Sequence, residues 1–209
     1  MAGNPSENGS ATLDAIFGAV CKRTNCTPER TRALEHVILL AAEIAREGRE
    51  GRKIGTLFVV GDTGTVLDRS RPLLLDPLYG HAPELLHVER PDFRETVKEL
   101  AQLDGAFVVE DDGTFVAAGR YVDVDLAPEN FLPGLGTRHA AAASITGGSG
   151  SVAVVVSSSS VVRVFARGEL RAEIVPELFL MSRAQLLTPL ADVRQLPEAG
   201  LTVAVAGED

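Results

Sequence analysis

The sequence predicts an α/β chain, a mixed twisted β-sheet flanked by helices, and three observations predict it. Leu34, Val37, Ile38, Ala41, Ile44 and Ala45 recur at three- and four-residue steps, the spacing of a helix with one inward face. Short apolar runs of β-type residues, Ile54 to Val60 and Val152 to Val156, read as strands. Gly105 to Val109 and Thr114 to Ala118 flank Asp111-Asp112-Gly113, a hairpin signal, so the sheet is not purely parallel.

Taken in order, residues 1–26 read as a flexible N-terminal segment, 27–175 as the main domain and 176–209 as a C-terminal extension packing on it. Thr27-Pro28-Glu29 has the pattern of an N-cap, a proline at the first helical position and an acid in the first turn. That helix ends near Gly48. The strand from Ile54 closes on a turn, Gly61-Asp62-Thr63-Gly64, and Arg71 to Leu78 is a loop with two prolines. Asp92 and Glu95 suggest a capping box for a helix through Phe93, Val97, Leu100 and Ala101. After the hairpin and a loop over Pro128 to Pro133, Gly136-Thr137 opens an alanine-rich helix, Arg138 to Ile145, stopped by Gly147 to Ser151. Strands Val152 to Val156 and Val161 to Ala166 are joined by the serines Ser157 to Ser160, and a last strand covers Leu201 to Ala206.

Composition narrows the function classes. The 209 residues are 45% hydrophobic and 23% charged, an ordinary globular balance. With 29 acidic against 20 basic residues the formal net charge is -9, and Lys22, Lys53 and Lys98 are the only lysines. Nucleic acid and anionic membranes attract a cationic footprint, so neither is an expected partner. The polar stretch from Met1 to Gly9 lacks a signal-peptide core, and Leu34 to Ala45 carries Glu35, His36 and Glu43, too polar to span a bilayer. A cytoplasmic location is expected. Cys21 and Cys26 do not make up a four-ligand zinc set and read as incidental thiols.

Common catalytic signatures are missing. No glycine-rich loop ends in Gly-Lys-Ser or Gly-Lys-Thr, there is no His-Glu-x-x-His, and Gly134-Leu135-Gly136 lacks the third glycine of a dinucleotide fingerprint. Two segments remain. In Asp104-Gly105-Ala106 a carboxylate precedes a strand, where it can hold a divalent metal or polarise a hydroxyl, and the glycine admits a ligand to the backbone. Asp-Gly is equally a plain turn, as Asp112-Gly113 shows. In Gly136-Thr137-Arg138-His139 a hydroxyl, a guanidinium and an imidazole gather at a helix N-terminus, the makings of a phosphate site. The same residues also suit a helix cap with a solvated first turn. Ser157, first after its strand, can donate to a phosphate or simply open a polar hairpin.

Together these segments resemble the diadenylate cyclase domain, the family of the DisA N-terminal region, in its soluble archaeal-type branch. The resemblance runs from about Thr27 to Glu173. It is carried by Glu47-Gly48-Arg49-Glu50-Gly51, by Ile54 to Asp62, by Leu103-Asp104-Gly105-Ala106 and the Ala118-Gly119 turn, by Gly136 to Ala141, and by Val154-Val155-Val156-Ser157. It implies the family's mixed sheet and the condensation of two ATP into cyclic di-AMP with release of two pyrophosphates. It implies catalytic roles for Asp104, Arg138 and His139, and ATP contacts from Gly105, Ala106, Val122, Gly136, Thr137, Arg138, His139 and Ser157. Asp104 and His139 would serve a divalent metal, manganese ahead of magnesium. A homodimer or higher homo-oligomer would bring two ATP face to face. Two positions depart from many relatives: Ala140 stands where an arginine is common, and Ser158-Ser159 where glutamates are. The alternative is a regulatory module that binds ATP or a cyclic dinucleotide without turning it over.

Overall fold

The computed structural model describes residues 26–73, 75–124 and 136–176, and the backbone of two strands over 190–196 and 201–206. Among the described residues there are four α-helices, α1 (Pro28–Glu47), α2 (Thr63–Asp68), α3 (Pro91–Leu100) and α4 (Thr137–Gly147), and a 3-10 turn at Pro83–Leu85. Nine strands accompany them: β1 (Thr56–Val60), β2 (Ser70–Pro72), β3 (Ala106–Val109), β4 (Phe115–Val122), β5 (Val152–Val156), β6 (Val162–Ala166), β7 (Glu169–Val175), β8 (Leu190–Leu196) and β9 (Leu201–Ala206). They form one sheet in the order β2-β4-β3-β1-β5-β6-β7-β9-β8. Among the described strands only β1 and β3 pair in parallel, Leu57 opposite Ala106; the other pairings are antiparallel. The expected mixed sheet is therefore what the chain forms.

Helices cover both faces, which explains why the central strands are apolar without alternation. Successive side chains of a strand point to opposite faces. On β1, Phe58 and Val60 meet α1 and α3 through Leu34, Val37, Ile38, Phe93 and Val97, while Leu57 and Val59 meet α4 and α2 through Ala142, Ile145 and Val66. Phe58 stacks on Phe107 with ring centroids 5.1 Å apart, and Phe115 closes the aromatic cluster edge-on. The helix α1 starts as its sequence predicts: the Thr27 hydroxyl accepts from the Arg30 N–H at 3.1 Å, with Pro28 in the first turn. Lys98, nearly buried between α1 and α3, donates to Glu43 at 2.9 Å and Glu95 at 2.8 Å and so ties the two helices together.

Several local expectations are corrected. The turn at Gly61-Asp62 leads straight into α2, and the loop after Arg69 begins with the short edge strand β2. No capping box forms on α3, because Pro91 starts the helix one residue before Asp92; Asp92 accepts instead from Arg90 at 2.8 Å, and Glu95 is taken by Lys98. Ala118-Gly119 is a bulge inside β4 and not a turn. The register passes from Ala106 opposite Arg120 to Val108 opposite Ala117, which leaves one extra residue on β4. Past Pro176, the segment adds β8 as well as β9, in antiparallel pairing beyond β7. Among the described residues, no helix is long and apolar enough to cross a membrane.

Candidate active site

The bulge in β4 builds one wall of the site. Gly105 sits at φ 105°, and a Cβ there would lie 2.5 Å from the Gly119 carbonyl carbon and 2.8 Å from the Arg120 nitrogen. No side chain fits that gap, and few residues other than glycine adopt such a φ. The tight fit is thus backbone against backbone, whereas the sequence had suggested room for a ligand. Its consequence is positional: Asp104 is held at the entry to β3 and projects outward, exposed.

Asp104 stands at the mouth of a cavity of about 570 Å3, also lined by Gly105, Ala106, Val122, Thr137, Arg138, Ala140 and Ala141. That volume suits a nucleotide-sized ligand. The cavity lies at the N-terminal ends of β1 and β3, although open parallel sheets usually bind ligands at the carboxyl ends. The reason is α4, whose N-terminus is delivered to this end of the sheet. Gly136 is its N-cap, and among the described residues no side chain caps the first turn; the His139 N–H donates to the Gly136 carbonyl at 3.0 Å, which leaves the N–H groups of Thr137 and Arg138 as those at the tip. Thr137 is consequently free of the capping role that its sequence position allowed.

Arg138 spans the opening. Its Nη2 is 3.0 Å from Asp104 Oδ1. A methyl group built on Gly55 would sit 3.1 Å from Arg138 Nη1 and 3.3 Å from the Val156 carbonyl oxygen, so the guanidinium also borders the end of β5. Ser157 follows that carbonyl; its hydroxyl lies 2.7 Å from Ser159 Oγ and accepts from the Ser159 N–H at 3.1 Å. The structure therefore brings Asp104, Gly105, Ala106, Val122, Thr137 and Arg138 into one cavity, with Gly136 and Ser157 outside its lining.

His139 goes elsewhere. Only 7% exposed, it points from α4 onto the sheet, where Nε2 lies 3.2 Å from Arg163 Nη1 and the ring meets the edge of Phe165. Burial, reinforced by the Arg163 cation, pushes its pKa down to about 4, so the ring is neutral at pH 7 and Nε2 accepts from the guanidinium. An imidazole so placed does not reach the cavity to hold a phosphate or a metal.

Some cavity residues escaped the sequence reading. Leu73, Tyr121 and Val124 form an apolar, partly exposed rim, and Arg120 lines the wall. Arg120 is committed to structure: its guanidinium donates to the Leu67 carbonyl at 3.0 Å and the Ser70 carbonyl at 2.6 Å, fixing β4 to the α2–β2 connection. Tyr121 carries Arg71 over its ring at 4.5 Å. The sequence reading ended this strand at Ala118, whereas β4 runs on to Val122 and carries Arg120 and Tyr121 to the cavity wall. Gly134, Leu135 and Cys21 lie outside the described residues; Cys26 packs part-buried against the core.

An acid, a guanidinium and a helix N-terminus thus surround one largely apolar cavity. The chain belongs to the DAC family, described as the DisA bacterial checkpoint controller nucleotide-binding domain, whose model matches residues 43–170. A diadenylate cyclase of Methanocaldococcus jannaschii is 44% identical over 149 residues, 71% of this chain and 47% of that protein. A diadenylate cyclase of Haloferax volcanii is 37% identical over 147 residues, 70% of this chain and 54% of its own. The chain thus spans about half the length of the curated relatives it matches. Among solved structures, DacA from Staphylococcus aureus, a double-cysteine variant, aligns with a TM-score of 0.45 at 23% identity over 69% of this chain and 88% of that one. A hypothetical membrane spanning protein from Bacillus cereus aligns at 0.47 with 21% identity, over 64% and 59%.

Proposed function

We propose that the chain is a diadenylate cyclase, joining two ATP into cyclic di-AMP with loss of two pyrophosphates. The observation that carries the reading is the convergence of Asp104 and Arg138, from opposite sides of the sheet's end, on one cavity. The adenine and ribose occupy the apolar floor over Val122, Ala106 and Ala141. The triphosphate lies along the α4 tip, where Thr137, the open N–H groups and Arg138 neutralise and orient it. Asp104 exchanges Arg138 for the ribose 3′-hydroxyl, and Ser157 reaches the terminal phosphates past Val156.

The 3′-oxygen of one ATP forms a bond to the α-phosphorus of the other as the bond to pyrophosphate breaks; the hydroxyl proton leaves by way of the Asp104 carboxylate. Each ATP is nucleophile and electrophile in turn, so a two-fold pair of subunits with isologous contacts meets the symmetry of the product.

Among the described residues, no three His, Cys, Asp or Glu side chains gather as a metal site. One exposed carboxylate still fits a hard divalent cation of the kind that takes most of its ligands from phosphates and water. Asp104 would hold it, and His139, which is not among the cavity's lining residues, would not. When bound, manganese ahead of magnesium, the ion neutralises the triphosphate charge. A second reading, a binding module without turnover, is favoured by Ala140, which lines the cavity where many relatives carry arginine. Incubation with ATP and manganese followed by chromatography separates the two: cyclic di-AMP marks the cyclase, and saturable ATP binding without product marks the module.

A further inference from the structure

We propose that Arg163 and Glu173 are positioning residues, which hold the phosphate-binding tip of α4 in place by way of His139; the inference rests on the nucleotide reading above. The two residues stand directly opposite each other on β6 and β7, on the face of the sheet that α4 covers. They are 5% and 0% exposed, and Arg163 Nε meets Glu173 Oε1 at 2.7 Å. The other arm of the guanidinium, Nη1, reaches His139 Nε2 at 3.2 Å. One arginine therefore bridges the sheet to the third residue of the helix.

A buried ion pair is a poor way to gain stability. Desolvating two charges costs about as much as their attraction returns, and an apolar pair of similar volume often does as well or better. Here the alternative was at hand, since Val162, Val164 and Ile174, on the same strands, pack the opposite face as plain hydrocarbon. What the charged pair adds is direction. Toward its tip α4 lays Ala141, Ala142 and Ala143 on the sheet, small side chains that tolerate rotation, while its large apolar anchor, Ile145, sits in the C-terminal half. Its far end is fixed by the Gly168 N–H donating to Thr146 Oγ1 at 3.1 Å. At the near end, beneath the solvated Arg138–Asp104 pair at the mouth, the Arg163 to His139 hydrogen bond is a buried directional contact between helix and sheet. Adjacent helical residues are about 100° apart around the axis. Seating His139 on the sheet thus sets the angle at which Arg138 and Thr137 enter the cavity. Replacing the contact leaves the helix in place and lets its tip turn.

Two variants test this against ATP and AMP, with affinities measured by calorimetry. Arg163→Met with Glu173→Leu removes both charges together, leaving no unpaired ion. Arg163→Lys keeps a cation for Glu173 but lacks the planar fork that also reaches His139. In each variant ATP affinity should fall about tenfold, the loss of roughly one charge-assisted contact to the β- and γ-phosphates. AMP affinity should stay within about twofold, and the melting temperature of the double variant within about 5 °C of wild type. That selective loss in either folded variant supports the proposal. Unchanged ATP affinity in both, or equal weakening of ATP and AMP, overturns it. Wild-type protein that binds neither nucleotide instead defeats the nucleotide reading itself.

Discussion

Arg138 and Asp104 face each other at 3.0 Å across the cavity mouth, the first 39% and the second 78% exposed. A solvated ion pair of this kind contributes at most about 1 kcal/mol. On the proposed reading a triphosphate would separate it at little cost, the guanidinium moving to phosphate and the carboxylate being freed for the ribose and the cation.

Arg138→Ala should therefore weaken ATP binding about tenfold to hundredfold, the range for one charge-assisted hydrogen bond, with little change in melting temperature. Calorimetric titration with ATP gives the affinity. An affinity equal to wild type removes Arg138 from the site.

Gly105→Ala should destabilise the fold by about 2–4 kcal/mol, because the added methyl meets the Gly119 backbone and the alanine must hold a positive φ. Gly136→Ala has open space around its Cβ and should cost no more than about 1 kcal/mol, the loss of a tolerant N-cap. Denaturant melts of the two variants compare them directly; equal losses would contradict the bulge as the reason for glycine at 105.

His139 makes stability depend on pH. Its native pKa of about 4 lies below the ordinary imidazole value of 6.5, so between these two the unfolded chain binds a proton that the native state refuses. Stability is complete above about pH 6.5 and declines toward pH 4, by at most about 3 kcal/mol. Burial shifts His36 in the same direction. Denaturant melts at pH 7.5 and 5.0 should show a smaller difference for His139→Asn than for wild type. An identical difference would mean that the imidazole is not held neutral.

Chelation should leave the apo fold untouched, since no three metal-ligating side chains gather among the described residues. Melting temperatures with and without EDTA should agree within about 2 °C, whereas a structural metal stabilises by far more. A fall of ten degrees or more would reveal a metal that holds the fold together.

Much of the frame was readable in the residues. The α1 stripe from Leu34 to Ala45, the Asp111-Asp112-Gly113 hairpin and the β5–β6 pair all form where their patterns place them. So does the pairing of Asp104 with Arg138 at one cleft, although neither motif alone distinguished a site from a turn or a cap. What stayed hidden depends on direction. Four alanines after His139 give α4 no polar face by which to orient it, so nothing in the sequence told which of Arg138 and His139 turns inward. Arg163 interrupts an otherwise apolar strand and Glu173 sits between Ala172 and Ile174; two opposite charges in covered strands were the available signal for a buried pair. The bulge at Gly119 was invisible because its cause, the approach of Gly105, comes from another strand.

Asp104→Asn tests the account most directly, because it removes the carboxylate's charge and keeps its shape. With ATP and manganese, wild type should yield cyclic di-AMP by chromatography, and the variant should bind ATP within about threefold of wild type while its product rate falls at least about a thousandfold, as loss of a group acting on the reacting atoms does. Product formed at near the wild-type rate would contradict the role given to Asp104, and with it the reading of this cleft as the place where two ATP are joined.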